Sequence, residues 1–286
     1  MARIDKASVN TPGRRRGLYG LVAGSFCLGF LFFCSISTFF LPTGSMEGTV
    51  LAGDYVFVNK ARYRLTTPRT IPVFGIEAPW IPLLPTWNEP DRGDLVVFEY
   101  PGDRDQIVAS QFNYYLKRCV ALAGDTVEMR RNDLYINGVR AALPEHAYRE
   151  DNPWTANSAS IFPRGSGWTA AEYGPLRIPA AGDVVRLDLD EHTINRWRVF
   201  IAREGHAVNI DHINGNWVID GRPAQTYTVE RDYLFMMGDN RDNSLDSRYW
   251  GYVALDDVVG SPFLVYYSVD PVTGQTRSDR IFTTLE

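Results

Sequence analysis

Residues 41–54 read LPTGSMEGTVLAGD, and the way this stretch is bounded decides the fold. No charged residue occurs from Leu18 to Leu41, and a helix of that length, rising about 1.5 Å per residue, spans a hydrocarbon core of roughly 30 Å. Pro42 predicts where that helix ends. Ser45 follows between Gly44 and Gly48, and four extended residues reach only about 14 Å, so the sequence predicts a serine held near a membrane surface. Beyond it, TVLAGDYVFVNK alternates apolar and polar positions and then runs through Tyr55, Val56, Phe57 and Val58, the pattern of a strand.

Charge orients the segment. Arg3, Lys6, Arg14, Arg15 and Arg16 against Asp5 make the leader basic, while the whole chain of 286 residues carries a net −5. Basic residues abutting a span stay in the cytoplasm, so the acidic remainder is expected on the outer, periplasmic face of the cytoplasmic (inner) membrane. The expected topology is single-pass, with the phospholipid membrane as a partner and no nucleic-acid binding. A cleaved export signal is the competing reading of the leader. Against it, the apolar run exceeds the ~7–15 residues of a signal core, and Phe39 and Phe40 stand where small residues would precede a cut. Cys27 and Cys34 fall in the apolar run, Cys119 stands alone, and the four histidines form no HExxH pair. No disulfide frame, metal site or cofactor is therefore expected.

Residues 66–92 carry six prolines, which exclude regular elements. The same loop holds Trp80, Ile81, Leu83, Leu84 and Trp87, which either wrap their own core or reach into a membrane interface. RGDLVVFEYP (92–101) and the segment Tyr114 to Val120 predict strands. Asp133 to Gly138 and Asn216 to Gly221 are alternating strands closed by Asn-Gly and Asp-Gly, which accept the positive φ angles of tight hairpins. Pro144 to Pro179 reads as loop. Glu191 to Glu204 spaces Ile194, Trp197, Phe200 and Ile201 as a helix, with Asp190 available as its N-cap. The expected division is a leader at 1–17, a transmembrane helix at 18–41, a β core at 42–130 and 230–286, and an inserted α+β subdomain at 131–229.

No Gly-x-Ser-x-Gly elbow occurs and no histidine sits in a motif that would aim it at Ser45. A lone serine is a poor nucleophile and needs a base. Beyond the leader the only lysines are Lys60 and Lys117. In YYLKRCV (114–120) strand alternation puts Tyr115 and Lys117 on one face. An unperturbed lysine, with pKa near about 10.4, is neutral in only about one molecule in 10³ at pH 7.4, so a lysine base requires burial.

Pro42 to Asp54, YLKRCVALAGD (115–125) and FMMGDNRDNSLDSRYWG (235–251), supported by RGDLVVFEYP, resemble in order and content the type I signal peptidases of bacteria, the membrane-bound Ser-Lys proteases. The resemblance implies a mainly β, signal-peptidase-like barrel or sheet core behind one N-terminal transmembrane helix. It implies a serine endopeptidase that removes signal peptides from exported preproteins, close to the export translocon, with small residues accepted at substrate positions −1 and −3. Position by position, Ser45 would be the nucleophile and Lys117 the general base, with Ser244 orienting the amine. The backbone N–H of Ser45 and the hydroxyl of Thr43 would form the oxyanion hole. Met46, Tyr115, Met236 and Leu245 are the apolar neighbours expected around the amine, and Asp246 with Arg248 resembles the family's structural ion pair. Thr43 stands where the family commonly has serine, and Gly48 where it normally has proline. The alternatives are a specialised Ser-Lys peptidase that matures pilin or conjugation proteins, and a membrane-anchored binding module on a degenerate protease fold. The self-cleaving repressors share the dyad but carry a DNA-binding domain and no span.

Overall fold

A computed structural model describes residues 12–67, 70–71, 76–77, 81, 83–84, 86–147 and 160–285. Residues 1–11 of the basic leader, Trp80 and the side chain of Cys27 lie outside this description. The first helix, α1 (Pro12–Ser35), ends six residues earlier than the uncharged run. Ile36 to Phe40 form a strand, β1 (Ile36–Phe40), because an antiparallel partner is available in β2 (Asp54–Asn59), in the register Ile36↔Asn59 to Phe40↔Tyr55. β-branched Ile36 and Thr38 with two phenylalanines suit a pleated surface better than a helix. The exit predicted at Pro42 is therefore corrected to Ser35. Tyr19, Leu21, Val22, Phe30, Leu31, Phe32 and Phe33 of α1 are exposed, yet among the described residues no helix is long and apolar enough to cross a membrane.

The proline-rich loop contains one short hairpin, β3 (Thr70–Ile71) with β4 (Ile76–Glu77). Ile81, Leu83, Leu84 and Trp87 are 39–52% exposed, so these four do not cover a core of their own. Then come β5 (Leu95–Glu99) and β6 (Tyr114–Ala121). The next group comprises β7 (Thr126–Arg130), β8 (Asp133–Ile136), β9 (Val139–Arg140), β10 (Tyr173–Arg177) and β11 (Val184–Arg186). It continues through α2 (Glu191–Arg203), β12 (Val208–Asp211), β13 (Asn216–Ile219), β14 (Arg222–Ala224) and β15 (Thr226–Thr228). The chain closes with β16 (Tyr233–Met237), the single turn α3 (Ser247–Trp250), β17 (Val253–Ala254) and β18 (Val258–Ser268).

Seven strands form one antiparallel sheet in the order β1-β2-β18-β5-β6-β16-β17. It curls back on itself: the ring of Phe39 on β1 meets that of Tyr114 on β6 edge-on at 5.2 Å, although three strands separate them in the sheet. The hollow of this half-barrel is filled by Val56, Val58, Leu95, Val97, Leu116 and Val265, with Met46 and Val50 packed into the same cluster.

The strands from β7 to β15 form separate small sheets. β7 pairs with β8 and β10 and not with the large sheet, so this layer begins at Thr126, earlier than the expected 131. Both hairpins form where expected, with Asn137-Gly138 and Asp220-Gly221 at positive φ. Asp190 caps α2 by accepting from Thr193 N at 3.0 Å. The segment read as loop contains β10, hidden by its own Gly174 and Pro175, residues that weaken a strand signal. One continuous core joins the two layers: Phe235 and Met237 of β16 pack with Val127, Leu176, Trp197 and Trp217.

Candidate active site

The stretch 41–54 is a closed loop. Leu41 N donates to Asp54 O at 3.0 Å and Gly53 N to Leu41 O at 2.7 Å, so its ends are stitched together as β1 passes into β2. Inside it two turns follow one another: Glu47 N donates to Gly44 O at 2.9 Å, and Thr49 N and Val50 N donate to Met46 O at 3.1 and 2.9 Å. Gly48 lies inside the second at φ +100°. Proline, fixed near about −65°, cannot occupy that conformation, and glycine can. Ser45 O accepts Asn240 N at 3.2 Å.

Lys117 comes from the middle of β6, opposite Val96 of β5. Paired on one side with β5, the lysine is only 4% exposed. Its Nζ donates to Ser45 Oγ and sits 5.7 Å from the centre of the Tyr115 ring. Burial pushes the amine down from its ordinary value to about 8; the charges of Asp246 and Asp239 oppose the shift and Arg248 adds to it. At that value roughly one molecule in five is neutral at pH 7.4, against the one in 10³ of a free lysine.

The two groups face a cavity of about 370 Å³, walled by Thr43, Met46, Val50, Tyr114, Tyr115 and Leu245, among others. The backbone N–H of Ser45 and the exposed hydroxyl of Thr43 carry no hydrogen bond among the described residues, so both remain available to an oxygen atom in the cavity. Met236 is fully buried in one cluster with Tyr115, Trp250 and Phe98 and is not part of the cavity wall.

Ser244 differs from expectation. Its hydroxyl is buried and makes no hydrogen bond, so the expected bond to the Lys117 amine is not formed. It is aimed instead at Gly238, whose missing side chain leaves room for it: a Cβ there would collide with Ser244 Oγ and stand 2.5 Å from Ser45 O. Asp246 and Arg248 form a two-pronged ion pair at 2.8 Å for both contacts, 0% and 2% exposed. Asp246 also accepts Gly238 N at 3.2 Å, which ties the pair to the chain beside Ser45. The Arg248 guanidinium, first by its charge, holds the Asp246 carboxyl low against the effect of burial.

Four residues of the site had no assigned role in the sequence reading. Gly238, Asp239 and Arg118 lay inside quoted motifs, but nothing in their types announced a task. Asp239 accepts Arg118 Nε and Nη2 at 2.8 and 2.7 Å, and Thr49 Oγ1 at 2.6 Å. Thr49 reads as an ordinary strand threonine, and only the fold reveals its partner.

A serine hydroxyl against a buried amine, beside unengaged N–H and O–H donors, is equipped for acyl transfer. The family "Signal peptidase, peptidase S26" matches residues 18–267. A Signal peptidase I of Helicobacter pylori is 29% identical over 242 residues, covering 81% of this chain and 74% of that protein. One of Aquifex aeolicus is 28% identical over 239 residues, covering 80% and 74%. A solved signal peptidase I of Enterococcus faecalis is 22% identical with a TM-score of 0.27, covering 61% of this chain and 97% of that one, too loose a superposition to bear on the fold. On the extent of the family match, this chain belongs to the signal peptidases of peptidase family S26.

Proposed function

We propose that this chain is a signal peptidase I that cleaves signal peptides from exported preproteins by a Ser45–Lys117 dyad. The observation that carries the reading is the buried Lys117 amine in hydrogen-bond contact with Ser45 Oγ at the floor of the cavity. Neutral Lys117 takes the proton of Ser45 as Oγ attacks the scissile carbonyl. The Ser45 N–H and the Thr43 hydroxyl receive the developing oxyanion, and the lysine returns its proton to the leaving amine. Ser244, with no partner in the resting site, is available to the amine once Ser45 Oγ has moved onto the substrate.

β16 pairs with β6 only from Arg118 onward, so Tyr115–Lys117 offer an edge along the cavity on which an extended substrate can add as a strand. The apolar walls suit small residues at positions −1 and −3. The α1 helix serves as the membrane span, N-terminus in the cytoplasm, with the seven-stranded sheet and its serine loop as catalytic core on the outer face and the layer from β7 to β15 as insert. The apolar exposure of α1 and the basic Arg14 to Arg16 support this, and exposed Leu84 and Trp87 suit contact with lipid. Because α1 ends at Ser35, the tether to Ser45 is ten residues, at most about 36 Å extended.

The test is cleavage of a labelled preprotein by detergent-solubilised protein. Ser45→Ala and Lys117→Ala should each yield no mature product while keeping the wild-type circular dichroism. Turnover by either variant would remove that residue from the mechanism.

A further inference from the structure

We propose that Thr49 and Arg280 are positioning residues: hydrogen bonds running from Arg280 to Thr49 to Asp239 to Arg118 hold the loop that carries Ser45 in register with the strand that carries Lys117. The proposal rests on the Ser45–Lys117 reading and extends it to the C-terminal segment, far in sequence from either residue.

The dyad needs such a device. Ser45 stands on an irregular loop with glycines at 44, 48 and 53, while Lys117 is fixed within a sheet. Reacting groups must be aligned to a fraction of an ångström, and about 1 Å of misplacement is enough to cost about 10²-fold in rate.

Asp239 is the junction. Its carboxylate, fully buried, accepts two nitrogens of Arg118, the residue after Lys117 on β6, and the hydroxyl of Thr49, four residues beyond Ser45. One side chain therefore grips both elements of the dyad. Arg118 is in turn seated by Gly93 O at 2.5 Å.

Thr49 is held from its other side. Arg280 Nη2 donates to Thr49 O at 3.1 Å and to Asp54 Oδ2 at 2.6 Å, and the same Asp54 oxygen accepts Leu51 N at 2.9 Å. Arg277 Nη1 adds a bond to Ala52 O at 2.8 Å. Leu285 completes the contact by packing in one cluster with Met46 and Val50. The far half of the nucleophile loop thus rests on residues 277–285, and Thr49 transmits that support to Asp239. Arg280 uses a single nitrogen for both bonds and leaves its Nε without a partner. A lysine ammonium can therefore replace it in function, whereas methionine cannot.

The experiment compares Thr49→Val with Thr49→Ser, and Arg280→Met with Arg280→Lys, in the full chain in detergent, on a peptide containing a signal-peptide cut site. Folded molecules are counted by circular dichroism and size-exclusion chromatography, neither of which depends on the reactivity of Ser45. Expected are a fall of about tenfold or more in kcat for Thr49→Val and Arg280→Met, with KM changed less than about twofold, and recovery to within about threefold in Thr49→Ser and Arg280→Lys. The acidic limb of the Thr49→Val pH–rate profile should move to higher pH, because a carboxylate released from the hydroxyl supports the charged amine more strongly. A purely structural part would lower the melting temperature and leave kcat per folded molecule and the limb where they were. Wild-type kcat in Thr49→Val beside an inactive Ser45→Ala overturns this proposal and leaves the dyad standing; turnover by Ser45→Ala overturns the dyad itself. Should Arg280→Met fail to fold, Thr49→Val and its serine rescue decide the matter.

Discussion

Gly238→Ala tests the site at its tightest point. The added Cβ would stand 2.5 Å from Ser45 O and closer still to Ser244 Oγ, where real Cβ atoms essentially never come nearer than 3.0 Å. Ser244, 1% exposed, has little room to give way. On the other side the obstacle is backbone, and Ser45 O is pinned by Asn240 N. Relief therefore requires the nucleophile to move by half an ångström or more. Overpacking of this kind destabilises by about 1–3 kcal/mol, which a domain with ordinary stability survives, whereas a displacement approaching 1 Å costs about 10²-fold in kcat. The expected result is a folded protein with a modestly lower melting temperature, kcat down by about two orders of magnitude and KM little changed. Gly238→Ala combined with Ser244→Gly removes one of the two collisions and should restore only part of the rate. Wild-type kcat in Gly238→Ala would refute the idea that this glycine is what lets the serine approach the lysine.

Other expectations follow from the charges around Lys117. With the amine at about 8 and the neutral form active, the rate should rise with pH through that value and level off above it; a flat profile from pH 6 to 9 would exclude Lys117 as base. Below about 8 the folded state carries a buried charge that the unfolded chain solvates. Lys117→Met should then abolish activity yet stabilise the fold by up to about 3 kcal/mol at pH 7, a gain that fades between pH 8 and 10.5 as the unfolded lysine also loses its proton. Asp246→Asn leaves the Arg248 charge buried alone and should destabilise by about 3–5 kcal/mol. In whatever fraction folds, the acidic limb should shift to lower pH, since Asp246 is the largest charge supporting protonated Lys117. His206 bridges Asp220 at 2.7 Å and Glu230 at 2.9 Å, and the hydrogen bond to Asp220 leads in raising its pKa. That stabilisation is complete below about 6.5 and lost as pH rises through the raised value, so thermal melts of His206→Gln should differ from wild type at pH 6 and converge at pH 9.

The parts of the fold that sequence made legible are those governed by local chemistry. Asn137-Gly138 and Asp220-Gly221 announce their turns because only such residues accept positive φ cheaply, and Asp190 announces α2 by its capping oxygen. The end of α1 was not legible. From Leu18 to Phe40 no charged residue or proline marks where the helix must become a strand, and the boundary is set by β2, which lies beyond the serine loop. β10 was missed for a related reason: the glycine and proline that mark a loop are tolerated there because β7 supplies the pairing. In the site, the types and order of Ser45 and Lys117 pointed to the chemistry, but the contact between them is a property of the curled sheet. Thr49 and Arg280 carried no signal, since a surface threonine and a tail arginine look the same whether or not a carboxylate and a carbonyl await them. Ser244 was legible as a neighbour of the site and not as an unbonded hydroxyl.

One feature of the architecture constrains how the enzyme can be built into anything longer. Helix α1 passes into β1 with no residue between them, so the catalytic body has no swivel: its heading is whatever the helix imposes. A residue inserted between Ser35 and Ile36 and taken up by sliding the strand one position would exchange its two faces. Phe40, now half open to solvent, would turn inward, and Phe39 would leave Tyr114 at the mouth of the cavity. Helix and sheet are thus a single stiff lever, and spacing along the chain is as much a part of this catalyst as the residues that cut.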